Sequence, residues 1–425
     1  MDEFDFDTAM KYISSSHRFG TKPGTARMDI IARESGLYDM LRGIKFIHIA
    51  GTNGKGSTAV SLQRILTNAG YRTGLYVSPH IHRFTERISV NGEEISESEF
   101  ASCLSFFVPY IEKLDFEEYG DMKEFELITL AGLLYFARKR CEYVCLEVGI
   151  GGRLDATNII SPHIALILSI SKDHTKVLGD TLEKIAFEKC GIIKDSIPVI
   201  AYPVQAGGVF DVIKSETKRH ASELAIPEMP KKISVSESGT EFEYKNIKYK
   251  TSLVGVHQAY NAAVVIEAVK MLCTLGAEIS KEDIDAGLSS ISHPARFELV
   301  GKNPTVILDG AHNEGGMKAL AESLALFAKE KPVAFVFGMC ADHVDKAVLE
   351  AMPCKNSAVF TAGARDITRA MSADELAKRV SPYCKEAVPC KSIKEALSLA
   401  KEKAIESGGI VLCTGSLFIA DEIKE

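Results

Sequence analysis

The sequence predicts an α/β protein with a doubly wound, mostly parallel sheet and a second, smaller α/β domain. Three observations indicate this architecture. Short apolar runs typical of buried strands alternate with stretches of helical periodicity. A glycine-rich turn joins the first of these strands to a helix. A new series of alternating strands and helices begins after His293-Pro-Ala-Arg-Phe297. We therefore expect one domain over residues 1–296 and another over residues 297–425.

Composition narrows the class of protein. The chain has 425 residues, 46% of them apolar, which is enough for two or three domain cores. The net charge of −7 argues against nucleic acid or an anionic membrane as the main partner. The acidic N-terminus does not resemble a signal peptide, and no apolar stretch approaches the length of a membrane span. Ten scattered cysteines without a C-x-x-C pair are typical of reduced thiols, so we expect a cytoplasmic protein.

The glycine-rich turn has the features of a phosphate-binding loop. An apolar strand, Phe46–Ala50, leads into Gly51-Thr-Asn-Gly-Lys-Gly-Ser57, and a helical pattern follows. Glycines let backbone N–H groups approach phosphate oxygens, and the lysine can reach the terminal phosphates. The match to G-x-x-x-x-G-K-[ST] is imperfect, because Ile49 replaces the first glycine and Gly56 replaces the Ser or Thr. An ordinary glycine-rich turn is the alternative, which a lysine between two glycines disfavours. We call residues 51–57 the phosphate loop.

The remaining elements follow from periodicity and turn signals. Further strands are predicted at Tyr143–Val148, Ile164–Ile170, Pro198–Ala201, Thr305–Asp309, Val333–Phe337, Ala358–Thr361 and Ile410–Cys413. Hairpins are predicted at Ile88–Ile95 and Glu241–Tyr249. Helices are predicted at Ser98–Lys113, Phe125–Arg140, Leu182–Cys190 and Ala259–Leu275. The basic stretch over residues 17–25 is either a contact for an anionic substrate or a solvated loop.

Polar side chains follow several of the predicted strands. Lys55 and Ser57 follow the first strand, and Ser78 ends a short strand predicted within Arg72–His80. Glu147 ends a later strand, and His174 follows another. Ligands of an open parallel sheet bind beyond the carboxyl ends of its strands, so these residues should face one crevice. A hydroxyl, a carboxylate and an imidazole beside a triphosphate are plausible Mg²⁺ ligands. The alternatives are a carboxylate that caps a loop and a histidine bonded to backbone.

The second domain is predicted to be Rossmann-like and to carry its own polar strand end. Asp309-Gly-Ala-His-Asn313 follows a strand, and its aspartate is placed to hold a ribose or else to form a turn that opens a helix. Arg296, at the boundary, either contacts a phosphate or forms a surface ion pair.

Eight segments carry a resemblance to a known family. They occur in this order: Gly51-Thr-Asn-Gly-Lys-Gly-Ser57, Ser78-Pro-His80, Leu146-Glu-Val-Gly-Ile-Gly-Gly-Arg-Leu-Asp-Ala-Thr-Asn158, Asp173-His-Thr175, Glu188-Lys-Cys-Gly-Ile192, His257-Gln-Ala-Tyr-Asn261, Pro294-Ala-Arg-Phe297 and Asp309-Gly-Ala-His-Asn313. Together they resemble the folylpolyglutamate synthases and dihydrofolate synthases of the Mur ligase superfamily. The segments span nearly the whole chain, and the long run from residue 146 to residue 158 is the most specific of them.

The resemblance implies an ATP-dependent amide ligase. A folate or dihydropteroate carboxylate would take the γ-phosphate of ATP as an acyl phosphate, and the amine of L-glutamate would displace phosphate. It also implies Mg²⁺, with two ions, a monomer, and closure of the two domains about Arg296. Whether dihydropteroate, folates or both are substrates stays open.

The resemblance also assigns residues. It implies that ATP is bound through its triphosphate by Thr52, Asn53, Gly54, Lys55, Gly56 and Ser57, and is further contacted by Asn261, Arg296 and Asp309. It implies that Mg²⁺ is held by Ser78, Glu147 and His174. It also implies that the pterin side, which is the part of the site that takes the pterin acid, is lined by Phe125, Glu126, Leu154 and Asp155. It implies catalytic roles for Lys55, for His312 near the glutamate, and for Lys189 as a carbamylated ligand of a second Mg²⁺. The alternative for Lys189 is a plain lysine that compensates a helix dipole.

Two other functions are compatible with a phosphate-binding loop. One is a Mur-type ligase that acts on a cell-wall nucleotide peptide. The other is a nucleotide-binding switch, which the lack of an N-K-x-D string disfavours.

Overall fold

The structure, a computed structural model, describes residues 4–16, 22–363 and 369–424. Residues 17–21 of the predicted basic loop therefore lie outside the described part. The chain divides into two compact units. Unit 1 comprises Met1–Ile170, His174–Met229 and Asn261–Leu288, and unit 2 comprises Ser171–Asp173, Pro230–Tyr260 and Ser289–Glu425.

Unit 1 is built on an eight-stranded sheet. Its strands are β1 (Lys45–Ala50), β2 (Thr73–Tyr76), β3 (Ile88–Val90), β4 (Glu93–Glu94), β5 (Tyr143–Glu147), β6 (Pro162–Ile167), β7 (Val199–Ala201) and β8 (Leu224–Ala225). They lie in the order β4-β3-β2-β5-β1-β6-β7-β8. Strands β2, β5, β1, β6, β7 and β8 are parallel, and the β3–β4 hairpin forms an antiparallel edge. The predicted doubly wound, mostly parallel sheet is confirmed.

The helices of unit 1 before residue 220 are α1 (Phe6–Ser15), α2 (Ala26–Glu34), α3 (Leu37–Met40), α4 (Lys55–Asn68), α5 (Glu97–Ile111), α6 (Phe116–Tyr119), α7 (Glu124–Arg138), α8 (Thr175–Leu178), α9 (Leu182–Cys190) and α10 (Val209–Arg219). Most of them contribute side chains to two apolar clusters. Phe100 and Leu130 of α5 and α7 are buried in one cluster, and Ile185 and Ile213 of α9 and α10 in the other. The predicted bounds of α9 are confirmed, and the side chain of Thr181 caps it by accepting the N–H of Lys184.

Unit 2 contains two sheets. A three-stranded antiparallel sheet consists of β9 (Lys231–Ser236), β10 (Gly239–Tyr244) and β11 (Ile247–Thr251). Two helices follow in the chain, α11 (Val256–Thr274) and α12 (Lys281–Ser289), and most of both belongs to unit 1. The second sheet has six strands in the order β12-β13-β17-β14-β15-β16, parallel except for β12. Its strands are β12 (Glu298–Lys302), β13 (Thr305–Leu308), β14 (Val333–Phe337), β15 (Ala358–Thr361), β16 (Glu386–Pro389) and β17 (Ile410–Thr414), with helices α13 (Glu314–Ala328), α14 (Lys346–Ala351), α15 (Ala373–Val380), α16 (Ile393–Ser407) and α17 (Ala420–Lys424).

Each unit is built from segments that are not consecutive in the sequence. The sheet β9–β11 belongs to unit 2, although it precedes residue 296 in the sequence. The division into domains at residue 296 stays a prediction. None of the helices in the described ranges is long and apolar enough to cross a bilayer.

Candidate active site

Two backbone N–H groups of the phosphate loop donate to a carbonyl elsewhere in unit 1. The N–H groups of Thr52 and Asn53 both point to the carbonyl of Ser169, at 2.8 Å and 3.4 Å. Helix α4 begins directly afterwards, and its first intrahelical bond runs from Thr58 N–H to the carbonyl of Gly54 at 3.0 Å. The N–H groups at the start of a helix have no acceptor within that helix, so they are the groups available to an anion. The N–H groups that helix α4 leaves without an internal acceptor are therefore those of residues 54–57, and the binding of a triphosphate by residues 52–57 stays a prediction.

Gly54 is required in the loop for two reasons. Its φ is +88°, in the left-handed region that glycine adopts most easily. A Cβ at this position would also lie 2.6 Å from Oδ1 of Asn261. Asn261, which is buried on α11, therefore packs directly on the loop, and its role in ATP binding stays a prediction.

Lys55 lies beside a buried carboxylate. Its Nζ is 3.8 Å from Oε1 of Glu147 and 3.2 Å from the carbonyl of Thr52. Glu147 ends β5, which pairs with β1 so that Ile49 and Glu147 are neighbours. The other oxygen, Oε2, accepts the N–H of Ser78 at 3.0 Å. The parallel pairing thus brings three predicted site residues together at the carboxyl ends of their strands.

Lys189 joins the same group of residues from α9. Its side chain is buried, and Nζ donates to the carbonyl of Gly51 at 2.8 Å. The lysine side chain therefore contacts the first residue of the phosphate loop.

The donor atoms near the loop suit Mg²⁺. Glu147 and Ser78 offer oxygen, the ligand type that Mg²⁺ prefers, and this ion usually keeps water and phosphate oxygens as its other ligands. His174, in the left-handed region at φ 48°, precedes α8. Across residues 4–16, 22–363 and 369–424, no group of three or more His, Cys, Asp or Glu is arranged to hold a metal ion by itself.

Two of the residues predicted for the pterin side meet at Gly149. A Cβ at Gly149 would lie 2.7 Å from the ring of Phe125 and 3.1 Å from Oδ2 of Asp155. The ring of Phe125 also packs edge-on against Tyr76, with centroids 5.9 Å apart. Leu154 is 40% exposed, whereas Asp155 is buried. The ring of Phe125 and the carboxylate of Asp155 thus lie close together at Gly149.

Glu126 has a different environment from its neighbours. Its two oxygens accept Nη2 and Nε of Arg27, each at 2.7 Å, and Oε2 also accepts the N–H of Lys123 at 2.9 Å. Both side chains are buried, and Arg27 also donates to the carbonyls of Lys22 and Tyr119. Arg27 was not predicted as a functional residue, because one arginine in a short amphipathic helix carries no signal of its distant partner. The substrate-binding role of Glu126 stays a prediction.

Asp309 organises a turn in unit 2. Its Oδ2 accepts the N–H of Phe297 at 2.9 Å and its Oδ1 accepts the N–H of Ala311 at 2.8 Å. Burial raises the pKa of Asp309, and the nearby Arg296 guanidinium opposes that shift. These bonds fit the turn-forming interpretation, and the ribose contact stays a prediction.

His312 belongs to a polar cluster within unit 2. Its Nδ1 is 2.8 Å from the carbonyl of Gly310, and since a carbonyl only accepts, Nδ1 carries the proton. Its Nε2 is 3.8 Å from Oδ2 of Asp173, which also accepts the side-chain amide of Asn313 at 3.0 Å. Burial lowers the pKa of His312 to about 4, so the ring is neutral at pH 7. His343, which the sequence analysis did not identify, packs edge-on against His312 with centroids 5.1 Å apart.

Comparison with known proteins places the chain in a family. The Mur ligase middle domain matches residues 49–269, and the Mur ligase, glutamate ligase domain matches residues 295–417. A dihydrofolate synthase/folylpolyglutamate synthase of Bacillus subtilis is 36% identical over 99% of this chain and 98% of its own length.

Solved structures agree with this assignment. The E. coli FolC structure in complex with DHPP and ADP superposes with a TM-score of 0.82 at 28% identity, covering 99% of this chain and 97% of that one. A bifunctional folylpolyglutamate synthase/dihydrofolate synthase with Mn, AMPPNP and L-glutamate bound gives 0.79 at 27% identity, with 99% and 97% covered.

Fold, phosphate loop and relatives together define an ATP-dependent ligase that uses a divalent metal. Within that class, the chain belongs to the dihydrofolate synthase/folylpolyglutamate synthase family of Mur ligases. The full-length folate-enzyme relatives favour this function over the cell-wall alternative.

Proposed function

We propose that the protein joins L-glutamate to the carboxyl group of a folate, of dihydropteroate, or of both, and converts ATP to ADP and phosphate. The observation that carries the proposal is the meeting of Lys55, Glu147 and Lys189 at the phosphate loop, beside the start of α4. The Bacillus subtilis relative is named for both activities, and the FolC and Mn complexes contain DHPP and L-glutamate respectively. These names support both substrate classes.

The reaction has two steps, and both need positioning and charge stabilisation more than a protein nucleophile. A carboxylate oxygen of the pterin acid bonds to the γ-phosphorus while the bond to ADP breaks, which gives an acyl phosphate. The amine of glutamate then attacks the acyl carbon, loses a proton and expels phosphate. Lys55 and the N–H groups of residues 54–57 stabilise the negative charge on the transferring phosphoryl group.

The metal would be held next to the loop. Mg²⁺ neutralises phosphate charge and orients the phosphates when bound. We assign Ser78, Glu147 and His174 as its ligands, because the first two already lie together and the third follows a strand of the same sheet. Carbamylated Lys189 is assigned to a second ion.

The remaining assignments concern the other substrates. Phe125, Glu126, Leu154 and Asp155 are assigned to the pterin acid, Asn261, Arg296 and Asp309 to ATP, and His312 to glutamate. His312 suits this role because its Nε2 is an acceptor in the neutral ring. A monomer, a cytoplasmic location, a domain boundary at residue 296 and closure about Arg296 complete the proposal.

A substrate assay tests the function directly. Purified protein is given ATP, Mg²⁺ and L-glutamate with either dihydropteroate or tetrahydrofolate, and ADP and the glutamylated product are measured. We expect ADP only when both the pterin acid and glutamate are present. ADP release that needs no glutamate, or a failure to glutamylate either pterin acid, would refute the proposal.

A further inference from the structure

A buried chain of hydrogen bonds links the phosphate-loop strand to the pterin side of unit 1. His48 lies in the middle of β1 and is completely buried. Its Nε2 is 2.9 Å from Oγ1 of Thr157, and Thr157 Oγ1 is 2.6 Å from Oδ1 of Asp155. The backbone N–H groups of Thr157 and Ile150 donate to Oδ1 and Oδ2 of the same carboxylate, each at 3.0 Å.

The proton positions in this chain follow from chemistry. Burial raises the pKa of Asp155, while the bonds from the Thr157 hydroxyl and from the N–H groups of Ile150 and Thr157 lower it. Both carboxylate oxygens accept a backbone N–H, which favours the ionised form, and an ionised carboxylate can only accept. The single hydroxyl proton of Thr157 therefore points to Asp155, and His48 must donate its own proton from Nε2. The other ring nitrogen, Nδ1, is then an acceptor, and it has no hydrogen-bond partner within the described residues. One tautomer of His48 thus satisfies Thr157 and leaves only a lone pair unpaired.

The chain ends where the pterin acid is expected. Oδ2 of Asp155 and the ring of Phe125 both approach Gly149 so closely that a Cβ there would contact them at 3.1 Å and 2.7 Å. Any rotation of Asp155 would break its bonds to Ile150 and Thr157 and change the surface beside Phe125.

We propose that His48 and Thr157 are positioning residues for the pterin acid, which they serve by holding the Asp155 carboxylate in one orientation beside Phe125. This inference rests on the proposed function and deepens it. It explains how β1, the strand that leads to the phosphate loop, also fixes the orientation of a carboxylate on the pterin side. Neither residue contacts substrate in this scheme. They act through Asp155.

Steady-state kinetics of Thr157→Val tests the positioning role. The change keeps the shape of the side chain and removes the hydroxyl, and the loss of one hydrogen bond corresponds to about a tenfold rise in KM for the pterin acid. KM for ATP should stay within about twofold, since Asp155 is not part of the phosphate loop. Thr157→Ser should restore the wild-type value. Thr217→Val is the matched control, because Thr217 is a buried threonine of the same unit whose hydroxyl donates to the carbonyl of Ile213 at 2.9 Å.

Nitrogen-15 NMR of histidine-labelled protein gives a readout that needs no turnover. We expect His48, assigned by its loss in His48→Leu, to be protonated at Nε2, and we expect this tautomer preference to weaken in Thr157→Val. Protonation at Nδ1 would overturn the inference, as would equal changes of both KM values or no change in either. If the wild type glutamylated neither pterin acid, the proposed function would fail, and the tautomer would still decide whether this hydrogen-bond chain exists.

Discussion

The phosphate loop and the predicted pterin side of unit 1 are built in different ways. The loop is seven consecutive residues, four between β1 and α4 and the first three of α4, and its geometry comes from backbone groups and from Gly54. The pterin side gathers Phe125 and Asp155 from distant parts of the chain, supported by the Arg27–Glu126 pair. A site made of backbone groups is encoded locally, whereas one made of buried side-chain networks depends on how distant elements pack. Four predictions test this contrast.

The largest effect is expected for Lys55→Ala. The charge beside the transferring phosphoryl group is lost, so kcat/KM for ADP formation should fall on the order of 10⁴-fold. The midpoint of thermal unfolding should stay close to that of the wild type, because Lys55 and Glu147 are as far as 3.8 Å apart and the Glu147 carboxylate keeps its bond from the N–H of Ser78. Lys214→Ala, an exposed lysine on α10, serves as the control. Activity within tenfold of wild type would mean that Lys55 does not contact the phosphates.

The buried ion pair on the pterin side should affect stability most. Arg27→Met leaves the Glu126 carboxylate buried without its partner, which should lower the free energy of unfolding by about 3–5 kcal/mol. The double variant Arg27→Met/Glu126→Leu should recover part of this loss. Arg42→Met breaks an ion pair with Asp39 whose side chains are 82% and 73% exposed, and it should cost less than about 1 kcal/mol. Urea unfolding measures all three, and equal effects of the two single changes would contradict the contrast.

Substitution of Lys189 tests whether its working side chain is a carbamate or an amine. Lys189→Ala should lower kcat on the order of 10²-fold, since the group beside Gly51 is lost. If the working side chain is a carbamate, added acetate should restore part of the activity and methylamine should not. Lys184→Ala, on the same helix and 63% exposed, is the matched control. Rescue by methylamine alone would show that the unmodified amine seen next to Gly51 is the active form.

The smallest effect concerns the pH dependence of stability. Burial lowers the pKa of His48 to about 3, while an unfolded histidine titrates near 6.5. Between these values the unfolded chain binds a proton that the folded protein does not, so stability falls as the pH falls. From pH 6 to pH 4, wild type should therefore lose about 1.4 kcal/mol per pH unit more than His48→Leu. Parallel stability curves for the two proteins would indicate that His48 is protonated in the folded state.

Most of the regular structure was predictable because its signals are local. The strand Val333–Phe337 and the helix Leu182–Cys190 have the predicted bounds, since an apolar run and a Thr cap are read from neighbouring residues. Short edge strands such as β16, with its mixed polar pattern Glu386–Pro389, were not predicted. Their pairing depends on a neighbouring strand rather than on their own composition.

The sequence by itself determined the α/β class, the alternation of strands and helices, the phosphate loop with Lys55, and the family to which the chain belongs. Only the tertiary structure decided that the N–H groups of Thr52 and Asn53 are taken by Ser169, that Glu126 is paired with Arg27, and that His48 reaches Asp155 through Thr157. The physical reason is distance along the chain. Periodicity, capping and glycine turns act over a few residues, whereas a buried polar group takes its partner from whichever element packs against it.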